Sequence, residues 1–274
     1  MIIKTLAENH SFSKDYRCEH GLSLFIETHN HSILFDTGAS DLFIKNALKM
    51  NVDLSQVDVA VISHGHYDHG GGIKAFLEKN RIAPVYVEKS AFGDFFSRKP
   101  GGVKNYIGLN KTLLPNDRFL LTDSRLVIDK ELELFSEVEG DRMKPSGNID
   151  LFMKRDELML EDDFSHEQSL IIREKDHAVL IAGCAHMGII NILERYKSLY
   201  NSFPSHVIGG FHLYNRAADS YEDPDKVEQI GVYLLKTGAM CYTCHCTGLK
   251  AYEELKRVLH DRINYLATGS QIII

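Results

Sequence analysis

The stretch VAVISHGHYDHGGGIKAF, from Val59 to Phe76, constrains the fold of this chain more than any other part of its sequence. A short apolar run reads as a buried strand that delivers His64 at its C-terminal end, and the pattern after Gly72 reads as a helix. Between them stand His64, His66, Asp68 and His69, then three glycines, Gly70 to Gly72. Imidazole nitrogen and carboxylate oxygen are natural ligands of zinc and related divalent ions. Residues two apart on an extended turn point the same way, so His64 and His66 can grip one ion. Asp68 and His69 are then free to face a second. The glycines are expected to let the backbone turn tightly into the helix.

The rest of the chain alternates strand-like and helix-like runs, as a layered α/β protein does. Leu22 to Gly38 reads as a hairpin turning at Thr28-His29-Asn30, and DLFIKNALKMNVD as a short amphipathic helix. APVYVEK is a further strand. QSLIIREKDHAVLIAGC is a second hairpin, with its turn near Glu174 to Asp176. GIINILERYKSLYN, DKVEQIGVYLLKTG and LKAYEELKRVLHD are helices; SHVIGGFHL, AMCYTCHCTG and INYLATGSQIII carry strands. One compact domain over residues 1–274 is expected, with two sheets between outer helices and a polar seam at the strand ends. Residues 90–150 are less regular, rich in Gly, Pro and Lys/Arg, and read as loops and an inserted lid.

Composition narrows the partners. A net charge of −7 without a long basic run disfavours nucleic acid, and with it a nuclease role, but leaves room for a small anionic substrate held by local cations. No run approaches the roughly 18 apolar residues of a membrane span. The N-terminal MIIKTLAENHSFSKD lacks the apolar core and cleavage site of a signal peptide. The odd count of five cysteines favours a reduced, cytoplasmic chain over a disulfide scaffold. The oligomeric state stays open.

His-x-His-x-Asp-His after a buried strand resembles the signature of the metallo-β-lactamase superfamily, and the resemblance continues piece by piece over most of the chain. It implies a four-layer αββα sandwich of two mixed sheets flanked by helices. ILFDTG matches the family's early strand ending in Asp, which makes Asp36 a support for the metal loop. The next family ligand is a His before a hairpin, here His166 in SHEQSLII. The family's bridging Asp is replaced by Cys184 in AGC, a metal thiolate or a buried thiol; His186, two residues on, is the other group that can fill the place. The last ligand is a late His, here His245 in MCYTCHCTG. A rival reading of that stretch is a cluster of Cys241, Cys244 and Cys246, although four thiolates are normally needed. Strand alternation would turn Cys244 and Cys246 to one face and His245 to the other.

AGCAHMGIINIL, VIGGFHL and CHCTG together are similar to one branch, the dihydropterin–ribofuranosylaminobenzene phosphate synthase-like proteins. In that branch the histidine of GGFHL, here His212, lies near the site and is expected to contact substrate or carry protons. Arg98, Lys99, Lys104 and Asn105 are candidates for phosphate contact, and Tyr106, Phe211 and Tyr214 for an aromatic pocket. His10, His20, His29, His31, His177, His206 and His260 lack ligand spacing and read as surface or structural groups.

The resemblance implies one or two Zn²⁺ ions, or Mn²⁺ or Fe²⁺ in their place, lowering the pKa of water from about 16 toward 7 for attack on an ester, lactone or phosphate centre. Asp68 would anchor the second ion and orient the nucleophile, and His186 or His212 would protonate the leaving group. Two other readings remain open. One is condensation of a pterin with an arylamine riboside phosphate, as the branch name suggests. The other is a metal-binding or sensing module without chemistry.

Overall fold

The computed structural model describes residues 1–274. In chain order the first half holds β1 (Ile2–Ala7), β2 (Ser23–Glu27), β3 (Ser32–Phe35), α1 (Leu42–Lys49), β4 (Val59–Ile62), α2 (Tyr67–Gly70), α3 (Ile73–Lys79) and β5 (Val85–Glu88). Then come β6 (Asp94–Arg98), β7 (Lys104–Tyr106), β8 (Phe119–Thr122), β9 (Arg125–Val127), β10 (Leu132–Phe135), β11 (Leu151–Arg155) and β12 (Leu158–Glu161). The second half holds β13 (Ser169–Glu174), β14 (His177–Ile181), α4 (Ile189–Tyr200), β15 (His206–Gly209), β16 (Tyr214–Asn215), β17 (Ser220–Tyr221), α5 (Pro224–Thr237), β18 (Met240–Thr243), α6 (Leu249–Leu259), β19 (Ile263–Tyr265) and β20 (Gln271–Ile273).

Two seven-stranded mixed sheets face each other, in the orders β20-β1-β2-β3-β4-β5-β8 and β19-β18-β15-β14-β13-β10-β9. Period-two side-chain alternation sorts each strand between two layers. Val59 and Val61 of β4 face the second sheet, where they join Leu170 and Ile172 of β13 and Val179 and Ile181 of β14. Ala60 and Ile62 face the other way, toward Phe43 and Ala47 of α1 and Ile73 and Phe76 of α3. Ile171 and Leu180 likewise turn outward, onto α4, α5 and α6. Three separate apolar clusters therefore fill the gaps of an αββα sandwich. At about 25 cal/mol per Å² of apolar surface removed from water, these gaps hold most of the stabilising free energy.

Each sheet is half antiparallel and half parallel. β3, β4, β5 and β8 run parallel in one, and β14, β15, β18 and β19 in the other. Parallel strands gather their C-terminal ends on one edge, which is where α/β proteins place ligand sites. Here that edge carries Asp36, Ser63, His64, Cys184, His212 and His245.

About a third of the stretch expected as irregular is sheet. β8 and β10 are strands of the main sheets. β6 and β7 pair instead with β11 and β12 in a separate four-stranded sheet, order β12-β11-β6-β7, and Lys99 and Ser97 from it reach the cavity described below. The Gly and Pro residues that suggested loops lie in the connections between these short strands. The glycines after His69 also act differently from expectation. A Cβ on Gly71 would lie 2.3 Å from the Ala39 carbonyl and one on Gly72 2.4 Å from that of Thr37, so close packing excludes a side chain there, and neither needs a left-handed backbone.

Candidate metal centre

The centre is assembled at the strand edge by backbone that a non-glycine residue rarely adopts. Asp36, Ala185, His212 and His245 have φ of +58°, +54°, +49° and +52°. Such left-handed residues cost roughly 1–3 kcal/mol each and persist where the surroundings over-determine them. Every one lies within two residues of, or is, a group that faces the cluster.

Four imidazoles of the cluster, all but His66, are anchored through Nδ1. Asp36 accepts the Ser63 N–H at 2.7 Å through Oδ1; its Oδ2 accepts the Ser63 hydroxyl at 2.7 Å and His69 Nδ1–H at 2.6 Å. The Ser63 hydroxyl in turn accepts His64 Nδ1–H at 2.9 Å. Gly183 makes this possible, since a Cβ there would lie 2.1 Å from Ser63 Oγ. Asn9 Oδ1 accepts His245 Nδ1–H at 2.9 Å, and Asn148 Oδ1 accepts His186 Nδ1–H at 3.2 Å. All four rings therefore turn Nε2 inward.

Those atoms meet one another. His64 Nε2 lies 3.1 Å from His66 Nδ1, and both group with a ligand atom of His186 within 4.8 Å. His186 Nε2 is buried and has no hydrogen-bond partner. His69 Nε2 lies 3.1 Å from His245 Nε2 and 3.1 Å from Cys184 Sγ. Asp68 Oδ2 is 3.4 Å from His245 Nε2 and accepts His20 Nε2–H at 3.1 Å. So many ring nitrogens, a thiol and a carboxylate turned to one another offer their lone pairs to a shared proton or to a cation. The groups are placed for divalent metal, with one set at His64, His66 and His186 and a second at Asp68, His69, Cys184 and His245.

Burial holds the charged forms of His64, His66, His186 and His245 down, keeping these rings neutral and able to ligate. His69 is the exception. Burial opposes its charge, but the carboxylates of Asp36 and Asp68 outweigh this and raise it to about 9. Asp68 is buried too, yet His69 and His20 hold it well below the usual carboxylate range. Glu8 accepts the His245 N–H at 3.0 Å, and burial pushes it up to about 7.

His166 lies beside the cluster with both nitrogens occupied. Its Nδ1 accepts the Gly65 N–H at 3.0 Å and its Nε2–H is shared by both Asp162 oxygens at 3.2 Å. His166, expected as a ligand, thus has partners at both nitrogens, whereas His186 Nε2 has none. The alternation expected for CYTCHC fails because β18 ends at Thr243. A tight turn over His245–Thr247 brings His245 and Cys246 to the same side, while Cys244 stays among the apolar side chains between the sheets. All five cysteines are free thiols.

A cavity open to solvent lies beside the cluster, lined among others by His20, Tyr67, Lys99, His212, Tyr214 and Arg216. His20, expected to be a surface or structural group, lines this cavity and donates to Asp68. Of the suggested phosphate contacts only Lys99 lines this cavity. Arg98 is paired with Asp150, and Lys104 sits over the Phe152 ring. Of the aromatics Tyr214 lines it, whereas Phe211 is buried in the core and Tyr106 donates to the Leu109 carbonyl. Ser63 adjoins the motif but is not singled out by the sequence; Asn9, Asn148, Asp162 and Glu167, which accepts the His186 and Met187 N–H groups, give no local signal.

A sandwich of two mixed sheets between helices, with His-x-His-x-Asp-His at its strand edge, defines a metallo-hydrolase type of fold. The family model of the metallo-beta-lactamase superfamily matches residues 16–218, and the chain belongs to that superfamily. The chain is similar to Tm1679, a metal-dependent hydrolase of the beta-lactamase superfamily, at 31% identity and a TM-score of 0.84 over 100% of this chain and 99% of that one. An uncharacterized protein of Methanocaldococcus jannaschii is 30% identical over 94% of each chain. The 7,8-dihydropterin-6-methyl-4-(beta-D-ribofuranosyl)-aminobenzene-5'-phosphate synthase of the same organism is 26% identical over 98% of this chain and 95% of its own. No helix is long and apolar enough to cross a membrane.

Proposed function

We propose that this protein is a metal-dependent hydrolase of a small anionic ester, lactone or phosphate. The observation that carries the reading is the buried, unpartnered Nε2 of His186 beside the nitrogens of His64 and His66, at the edge of an open cavity. In this reading His64, His66 and His186 hold one divalent ion and Asp68, His69, Cys184 and His245 a second. His166 is a brace. Ions bound there make water nucleophilic near neutral pH and polarise the centre it attacks.

The chain's own residues supply the rest. Asp36 and Ser63 fix the tautomers of His69 and His64. His212, its ring centroid 4.2 Å from that of His186 and tilted by 55°, has a buried and unpartnered Nδ1 and is placed to pass a proton to the leaving group. Lys99 and Arg216 line the cavity without a carboxylate partner, which suits an anionic substrate. Zinc is the ion proposed, since the donor set mixes imidazole, carboxylate and thiol. A cytoplasmic, thiol-reducing setting suits five free cysteines.

The full-length likeness to the dihydropterin synthase supports a second reading, condensation on a pterin, with Tyr67 and Tyr214 as the aromatic walls. The test is metal analysis of the purified protein followed by assay of the loaded form on esters, lactones, phosphomonoesters and phosphodiesters. Chelator-sensitive hydrolysis is the expected result. Two ions bound with no turnover of any class, and saturable binding of a reduced pterin, would replace the first reading by the second.

A further inference from the structure

Three cysteines fall within six residues of each other near the C-terminal edge, and the fold treats them differently. Cys241 packs in the apolar cluster under α5 and α6, and Cys244 in the cluster between the sheets. Cys246 belongs to neither. It is buried, lines the cavity, and its sulfur groups with those of Cys184 and the ligand atom of His245, all within 4.8 Å of one another.

We infer that Cys246 is a further ligand of the second metal position, which would then be held by two sulfurs, Cys184 and Cys246, beside His69 and His245. The inference rests on the two-ion reading above. Three features of the chain support it independently of the family signature. The second glycine of VIGGFHL makes room for this sulfur, because a Cβ on Gly210 would lie 2.4 Å from Cys246 Sγ. The left-handed His212 aims its backbone N–H at the same sulfur, 3.3 Å away, the kind of hydrogen bond that supports a metal thiolate. The left-handed His245 swings Cys246 round to its own side of the turn.

The geometry is of the right size. With Zn–S about 2.3 Å and Zn–N about 2.0 Å, a tetrahedral ion keeps its ligand atoms roughly 3.3–3.8 Å apart. The His69–Cys184 and His69–His245 separations are already 3.1 Å. The Cys246 thiol rests against the Cys184 carbonyl at 3.6 Å, with its sulfur already within 4.8 Å of the Cys184 sulfur and the His245 ligand atom. Two sulfurs and two imidazoles form a set that zinc takes readily, and one that oxygen-seeking Mg²⁺ or Mn²⁺ does not. Asp68 would then keep its hydrogen bond with His20 and its place beside His245.

The test uses X-ray absorption at the zinc edge on the intact wild-type protein loaded with zinc. Two sulfur scatterers per protein at about 2.3 Å are expected. A second measurement is the near-ultraviolet sulfur-to-cobalt charge-transfer absorbance of the Co²⁺-loaded protein, which Cys246→Ser and Cys184→Ser should each cut to about half and the double variant abolish. One sulfur scatterer in the wild type, or full charge-transfer intensity in Cys246→Ser, would overturn the role of Cys246 and leave the two-ion reading standing. A protein that takes up neither zinc nor cobalt would overturn both.

Discussion

The four-residue strand β3 has a histidine cluster at each of its ends, and the two are built on opposite plans. Before it, His31 gives both ring nitrogens to carboxylates, Nδ1 to Asp58 at 3.3 Å and Nε2 to Asp129 at 2.7 Å. After it, Asp36 takes one nitrogen of His69 and leaves the other facing Cys184 and His245. The first arrangement is complete and ties the β2–β3 turn to the loop before β10. The second turns its inward nitrogens to one another. On the proposed reading, a histidine doubly anchored is a brace, and one singly anchored beside others of its kind is a ligand. His166 follows His31 in this respect, and His186 follows His69.

The sharpest way to break that distinction is to exchange its two ambiguous members. His186→Ala is expected to lose one of the two metal ions and more than about 100-fold of any hydrolytic activity, beyond what loss of a supporting residue costs. Metal analysis after dialysis checks it. A variant that kept both ions would return the ligand role to His166. Next in size is Asp36→Asn, which leaves His69 without its carboxylate. Metal affinity should fall about 10- to 100-fold, measured by competition with a chromophoric chelator.

The pH dependence sharpens the comparison from another side. His69 in the metal-free protein is raised to about 9, so an entering ion must displace its proton below that pH. Apparent affinity should rise about tenfold per pH unit between 7 and 9 and then level off. The same shift stabilises the metal-free fold fully below about 6.5, the value of an unfolded histidine, and that contribution is lost as pH rises through 9. Asp36→Asn should flatten both curves; a steep curve surviving in that variant would place the proton elsewhere.

Two smaller effects complete the series. His166→Ala is expected to keep both ions and to lower stability by about 1–3 kcal/mol, since it strands the Gly65 N–H and the buried Asp162. Urea unfolding with metal content measured in parallel separates the two. His31→Ala should cost about 1 kcal/mol at most, because its carboxylate partners Asp58 and Asp129 are part-exposed, and should leave metal content unchanged.

Most of the architecture was written in local pattern. The apolar runs that become β4, β13, β14 and β15 and the amphipathic helices α1, α4, α5 and α6 carry their own periodicity, because burial on two faces or one leaves a repeat that any reader can count. His64, His66, Asp68 and His69 were legible for the same reason, being set within one turn. What local pattern did not decide was everything that depends on distant partners. The choice between His166 and His186 turns on Asn148 and Asp162, which come from other parts of the chain. The placing of His20 and Cys246 in the site turns on how β18 ends and how Asn9 and Glu8 hold the turn after it. The sequence by itself determined that four ligating groups stand at a strand end in an αββα protein. Only the tertiary structure decided which other rings keep a nitrogen free to join them, since a hydrogen bond made across the fold leaves no mark in the order of residues.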